Sequence, residues 1–253
     1  MSSIDPIRRL KEIARDIQQV PIQNVPREME KVFFICINTY KGFQINTGSS
    51  PMMDAFNLAR IIKHRGYQVF FIHNPHAAIF MQYFAAMLES VYKHLIFMYI
   101  GRGTGVQDLD GDELDGVDEA LVFDDGVIID DDLVTCLVRY KNQESRLTLL
   151  TDASYKDTIW DMEEKSKNGK PIPPNVLSLS AETRLQTMTA TIEAEARVEK
   201  GAFAQALTTA FRQNAEATPD DLQRMMENTL REAGQVYTVG TTSPELLSQP
   251  VLI

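Results

Sequence analysis

Three short apolar runs, separated by helical patterns, limit the possible folds of this chain more than any other feature of its sequence. The runs are Val32 to Asn38, Gln68 to His73 and His94 to Ile100, and their length and near-continuous apolar character predict strands buried on both faces. Between them, Met52 to His64 and Ala77 to Val91 carry apolar residues at helical spacing. Strand, helix, strand, helix, strand is the order that builds a parallel sheet with helices covering it. The pattern continues with a helix over Asp131 to Tyr140, strands over Arg146 to Thr151 and Asn175 to Ser180, and helices over Ala202 to Arg212 and Pro219 to Ala233. The fold class expected is therefore α/β, with a central, mostly parallel sheet.

At the amino end, Asp5 caps and Pro6 opens a helical pattern in which Ile7, Leu10, Ile13, Ala14 and Ile17 share one face, which predicts a helix from Asp5 to about Val20. Residues 1–30 are assigned to this helix and a linker packed on the core, and residues 31–253 to the main domain. Glu163 to Pro174, rich in Lys, Gly and Pro, reads as a loop.

Composition narrows the function classes. The 253 residues are 44% apolar, ample for a packed core. Neither the start, MSSIDPIRRL, nor any later stretch offers a secretory signal or the roughly 20 apolar residues that span a bilayer; a soluble, cytoplasmic protein is expected. Two cysteines, Cys36 and Cys136, both in apolar surroundings, leave no basis for a disulfide framework or a multi-cysteine zinc site. A formal net charge of -10 argues against a nucleic-acid surface and suits cations or basic peptides.

The negative charge is concentrated between Asp108 and Asp132, where twelve acidic residues occur with no Lys or Arg among them. Such a run is either a solvated acidic loop or a site for a hard cation, since calcium takes six to eight oxygens. An EF-hand loop is a poor match. Asp108, Asp110, Asp112 and Glu119 fall at its acidic positions, but Glu113 stands where the turn needs glycine and Asp115 where an apolar residue belongs.

In its surroundings this segment resembles the metacaspase family, and the resemblance runs from about Val32 to the carboxyl end. The motifs, in order, are IGRG at Ile100 to Gly103, GDELDGVDE at Gly111 to Glu119, GVIIDDDL at Gly126 to Leu133, and RLTLLTDASYKD at Arg146 to Asp157. In that family they correspond to a Ser-Gly-His-Gly turn, a GDExDGxDE stretch, a Gly-x-Ile-x-Asp-Asp-x-Leu helix start and a strand leading into Asp-Cys-Cys-His-Ser-Gly. The resemblance implies a caspase-like three-layer sandwich with helices on both faces of the sheet, and a monomer.

It also implies that both catalytic positions have changed. The general-base histidine matches Arg102 and the nucleophilic cysteine matches Ser154. An arginine stays protonated and cannot accept a proton, and a serine hydroxyl attacks poorly without a base. Neither half of the dyad is present, so a pseudo-peptidase is expected, with a hydrolase that uses Ser154 as the alternative. His94 is excluded as a substitute base because roughly 25 Å of strand separates it from Arg102. His64 falls at a helix end, leaving His73 and His76 as the candidates.

Binding features carry over better. The family's basic-residue pocket matches at Asp54 and Asp152, although Pro51 and Ile100 replace its cysteine and serine. Arg102, at the rim, is a candidate to fill that pocket as a built-in substrate mimic. The family's calcium ligands match Asp118, Asp130, Asp131 and Asp161, all still carboxylates. Of its Cys-Arg-Asp-Asp-Gln-Thr stretch, matched at Glu182 to Thr187, only Gln186 and Thr187 are kept. Calcium, basic peptides and a protein partner such as an active metacaspase are the expected ligands.

Overall fold

The structure, a computed structural model, describes residues 5–40, 50–108, 116–153, 159–160, 162, 169–183 and 201–253. Along the chain come α1 (Pro6–Ile13), β1 (Arg15–Asp16), β2 (Met29–Ile37), α2 (Ser50–His64), β3 (Gln68–His73), α3 (Ala77–Ser90) and β4 (Val91–Ile100). A small hairpin sheet follows, made of β5 (Gly103–Gln107), β6 (Val117–Phe123) and β7 (Gly126–Ile129). Then come α4 (Asp130–Tyr140), β8 (Arg146–Asp152), β9 (Val176–Thr183), α5 (Ala202–Gln213), α6 (Pro219–Glu232) and β10 (Gln235–Thr241).

Seven strands form the main sheet in the order β1-β3-β2-β4-β8-β9-β10, and every neighbouring pair is parallel except β9 with β10. The expected strands occupy its centre because their residues are apolar on both sides. Phe33, Ile35, Ile96, Met98 and Leu150 face a layer built from α1, α2, α5 and α6. Phe34, Phe97, Leu147 and Leu149 face α3, α4 and the hairpin sheet. On that second face Phe97 lies 4.6 Å from Phe84 and 5.6 Å from Phe80, ring centre to ring centre, with Phe123 a further 5.2 Å beyond Phe80. Helices thus cover both faces, which is the caspase-like three-layer arrangement.

The amino-terminal helix is shorter than its periodicity suggests. It ends at Ile13, and residues 15–16 pair in parallel with Phe70 and Phe71 of β3. The reason lies in what each apolar residue covers: Leu10 is buried on the α2 side of the sheet, whereas Ile17 is buried on the α3 side. To reach both, the chain must pass around the sheet edge, and in doing so it supplies backbone partners to β3, which would otherwise present open hydrogen-bonding groups. Strands β5, β6, β7 and β10 are additional to the expected elements. Among the described residues no helix is long and apolar enough to cross a membrane.

Candidate functional site

Parallel pairing sets the carboxyl ends of the central strands side by side. Ile100 of β4 lies in register with Asp152 of β8, and the ladder continues past both strands, with Gly101 N–H donating to the Asp152 carbonyl at 3.1 Å and Asn38 N–H to the Ile100 carbonyl at 2.8 Å. Arg102 follows directly. Its N–H donates to Tyr40 Oη at 2.6 Å, its carbonyl accepts from Val122 N–H at 3.0 Å, and Tyr99 Oη donates to the carbonyls of Arg102 and Val122 at 3.0 and 2.6 Å. Gly101 permits this closure, because a Cβ there would sit 2.6 Å from Tyr99 Oη and 2.7 Å from Tyr40 Oη. The Arg102 guanidinium lies over the Tyr40 ring, 5.8 Å from its centre, a cation–π arrangement.

That placement corrects the expectation that Arg102 fills the acidic pocket. Neither Asp54 nor Asp152 forms an ion pair with it, because the strand end and the two tyrosines fix the arginine backbone and the electron-rich Tyr40 face takes up its charge. Asp54 projects from α2, buried, with Oδ2 accepting from Ser50 Oγ at 3.2 Å, one helical turn earlier. Gly201, at φ 83°, precedes α5 and comes so close that a Cβ would stand 2.5 Å from Asp54 Oδ2. Asp152, only 3% exposed, accepts at Oδ2 from Ala204 N–H in the first turn of α5 at 3.2 Å, while its buried Oδ1 has no partner. Burial raises the Asp54 pKa to about 6, against hydrogen bonds from Ser50 and Gln205. Burial likewise raises that of Asp152 to about 7; the Ala204 amide opposes the shift and the neighbouring Asp54 charge adds to it.

The acidic segment contributes a second cluster. Pairing of β6 with β7 sets Ala120 against Ile129, and the hairpin so formed leads Asp118 back toward the start of α4, where Asp130 and Asp131 lie. All three carboxylates are buried. Asp130 uses both oxygens locally, accepting from Glu119 N–H at 3.3 Å and Asp131 N–H at 3.1 Å. Their oxygen chemistry suits calcium. Among the described residues, however, no group of three or more His, Cys, Asp or Glu side chains is placed to hold a metal, so a calcium ion here would also draw on donors elsewhere. Asp161, Ser154, residues 109–115 of the acidic run, residues 163–168 of the expected loop and Arg184 to Thr187 lie outside the described residues, and Glu182 ends up on β9.

A search against protein families matches the caspase domain over residues 29–249. The chain belongs to the caspase-domain family. Curated proteins similar to it include metacaspases: Metacaspase-1 of Candida glabrata is 39% identical over 72 residues, 27% of this chain and 18% of that protein. Metacaspase-2 of Arabidopsis thaliana is 36% identical over 72 residues, 27% of this chain and 17% of that protein. Each match therefore spans less than a fifth of the relative's length. Among solved structures, protein GSU0716 from Geobacter sulfurreducens has the same fold at TM-score 0.62 and 16% identity, covering 88% of this chain and 98% of its own. The Drosophila initiator caspase Dronc has it at TM-score 0.55 and 12% identity, covering 85% and 80%.

Of the four histidines, His73 closes β3 at the carboxyl end of the sheet, in register with Ile37 of β2, while the other three lie off the strand ends that carry Arg102 and Asp152. His94 is buried, sharing its two ring nitrogens with Tyr67 Oη at 2.6 Å and Thr148 Oγ1 at 2.9 Å. His73 Nε2 is 3.0 Å from Thr39 Oγ1, and His76 pairs with Asp125 at 3.0 Å in an exposed position. His64 is exposed at the end of α2, and both cysteines are buried free thiols. Sequence reasoning missed the two tyrosines that hold Arg102. Tyr99 sits one residue before the end of an apolar strand and Tyr40 two residues past Asn38, with no local pattern to join them.

The acidic pair makes stability depend on pH. Both carboxyls keep their protons in the folded protein up to about pH 6 and about pH 7, whereas an aspartate in the unfolded chain loses its proton near 3.8. The folded state thus holds more protons across that interval, so the contribution is complete below about pH 4 and is lost as pH rises through 6 to 7. Asp152→Asn is expected to flatten this decline, as read by thermal melts from pH 4.5 to 7.5. Parallel profiles for the two proteins would contradict the assignment.

Proposed function

We propose that this chain is a caspase-fold protein without peptidase activity, which binds a cationic side chain through Asp152 and Asp54 and calcium through Asp118, Asp130, Asp131 and Asp161. The observation that carries the reading is Asp152 Oδ1, a buried carboxylate oxygen with no partner, next to a second buried carboxylate. Two like charges out of water favour a cation between them more than any neutral ligand, and a guanidinium or ammonium presents the donors that Oδ1 lacks. Arg102 and Ser154 stand at the two positions where the family keeps its base and nucleophile, and an arginine clamped by backbone bonds and stacked on Tyr40 has no means of taking a proton from a hydroxyl. The His73 contact with Thr39 gives no support to the alternative of a base for Ser154.

Binding without bond breaking is the behaviour of a regulator. Peptides or protein segments that carry Arg or Lys are the ligand class, and an active metacaspase is a candidate partner. When bound, calcium would neutralise the carboxylates on β6 and α4. Asp118 is held by its pairing with Val106 of β5, and Asp130 by the amides of Glu119 and Asp131.

Because binding requires the ionised pair, affinity for an arginine-containing peptide should tighten between pH 5.5 and 7.5, and Asp152→Asn should weaken it by about 2 kcal/mol or more. Calorimetry that finds equal affinities for the two proteins would remove the pocket from the proposal. Millimolar calcium should raise the melting temperature of the wild-type chain and leave that of Asp118→Ala unchanged. An equal response in both would remove the metal site.

A further inference from the structure

At the opposite, amino end of the sheet, three basic residues stand abreast. Lys31 of β2 is in register with His94 of β4, and His94 with Arg146 of β8. Directly opposed residues in a parallel sheet point to the same face, here the face covered by α2, α5, α6 and the segment Val251 to Ile253. Both ring nitrogens of His94 are engaged by hydroxyls, and burial, with the Arg146 and Lys31 charges beside it, lowers its pKa well below the ordinary value, so the ring stays neutral. Lys31 Nζ donates to the carbonyl of Arg65 at 2.6 Å and to the main-chain oxygen of Ile253, the last residue of the sequence, at 2.9 Å, and lies 4.8 Å from the centre of the Tyr67 ring. Ile253 N–H donates in turn to Tyr67 Oη at 3.2 Å.

Arg146 has no such arrangement. Its side chain is buried, the residue being 7% exposed, and none of Nε, Nη1 and Nη2 has a hydrogen-bond partner. A guanidinium carries five N–H donors and keeps its charge under all ordinary conditions. Among the described residues, the Tyr67 phenol is the one group whose charge opposes its burial, and no carboxylate pairs with it. Buried charges are otherwise paired, because leaving them unpaired is among the most costly arrangements in a protein interior. A planar fork of donors matches two oxygens of an oxyanion, and Lys31, partly exposed beside the exposed Ile253, offers a second cation on the solvent side.

We propose that this pole of the sheet is a binding site for a small oxyanion, with Arg146 gripping two of its oxygens and Lys31 neutralising it from the solvent side. The chemistry is that of inorganic phosphate, sulfate or a small carboxylate, and the site is independent of the acidic cleft at the other end of the strands.

The test is a set of thermal melts of the full chain in chloride buffer with and without phosphate at matched ionic strength. For the wild type, phosphate at a hundredfold excess over its Kd should raise the melting temperature by about 5 °C or more. Arg146→Met should show no phosphate response and, in chloride alone, melt at or above the wild-type temperature, because it removes a buried charge that lacks a partner. Lys31→Met, at a partly exposed position, should bind phosphate about tenfold more weakly, which provides a second reading if the Arg146 variant folds poorly. An equal phosphate response in wild type and variants would overturn the proposal. So would a wild type indifferent to phosphate together with an Arg146→Met protein that melts well below it, because a carboxylate of the polypeptide itself would then already serve the guanidinium.

Discussion

The hydrogen-bond register of the parallel strands β3, β2, β4, β8 and β9 is the constraint on which everything else in this molecule rests. The middle of β2, β3 and β4 is apolar on both faces, so their charged residues gather at the two ends, and the register decides which charged groups of β8 they meet. At the carboxyl end it brings together Asn38, Gly101, Arg102 and Asp152; at the amino end, Lys31, His94 and Arg146. A slip of one residue in β8 would turn Asp152 toward α3 and Arg146 with it, since side chains alternate between faces. The large apolar residues on each face make such a slip prohibitive, and the same packing that stabilises the fold therefore positions the charges.

What distinguishes the carboxyl end is the electrostatic state of its two aspartates. Among the described residues no basic side chain pairs with either, and the helix start beside Asp152 supplies one amide to one of its oxygens. An N-terminal helix turn favours negative charge, yet burial dominates here and keeps both carboxyls protonated to higher pH than usual. On the function proposed above, the affinity of this site for a cation is set by how readily the ligand displaces protons. Arg102, at the adjoining strand end, is directed to Tyr40 by hydrogen bonds at its own backbone.

Much of this was legible in the sequence, because the signals were local. Apolar runs too short for helices gave the central strands, and the residues between them gave α2 and α3 to within two residues at each end. The resemblance singled out Asp54, Asp118, Asp130, Asp131 and Asp152 by their motifs, and the structure buries all five. Other features depend on contacts that no local pattern encodes. The end of α1 is set by Ile17 crossing to the other face of the sheet, and β10 exists because β9 offers it an edge. Strand β5, Gly103–Gln107, has one apolar residue and is recognisable only through its pairing with β6. The orphaned Arg146 looks, in sequence, like a polar residue at the start of a strand, and only the register shows that Lys31 and His94 stand beside it.

The central claim is that the cleft recognises cationic side chains and does not cut the chain that carries them. Hydrolysis of an arginyl reporter peptide, followed with millimolar calcium present and with Ser154→Ala assayed alongside, tests it most directly. The account predicts that both proteins are indistinguishable from buffer, whereas reproducible turnover by the wild type that disappears in the alanine variant would contradict it.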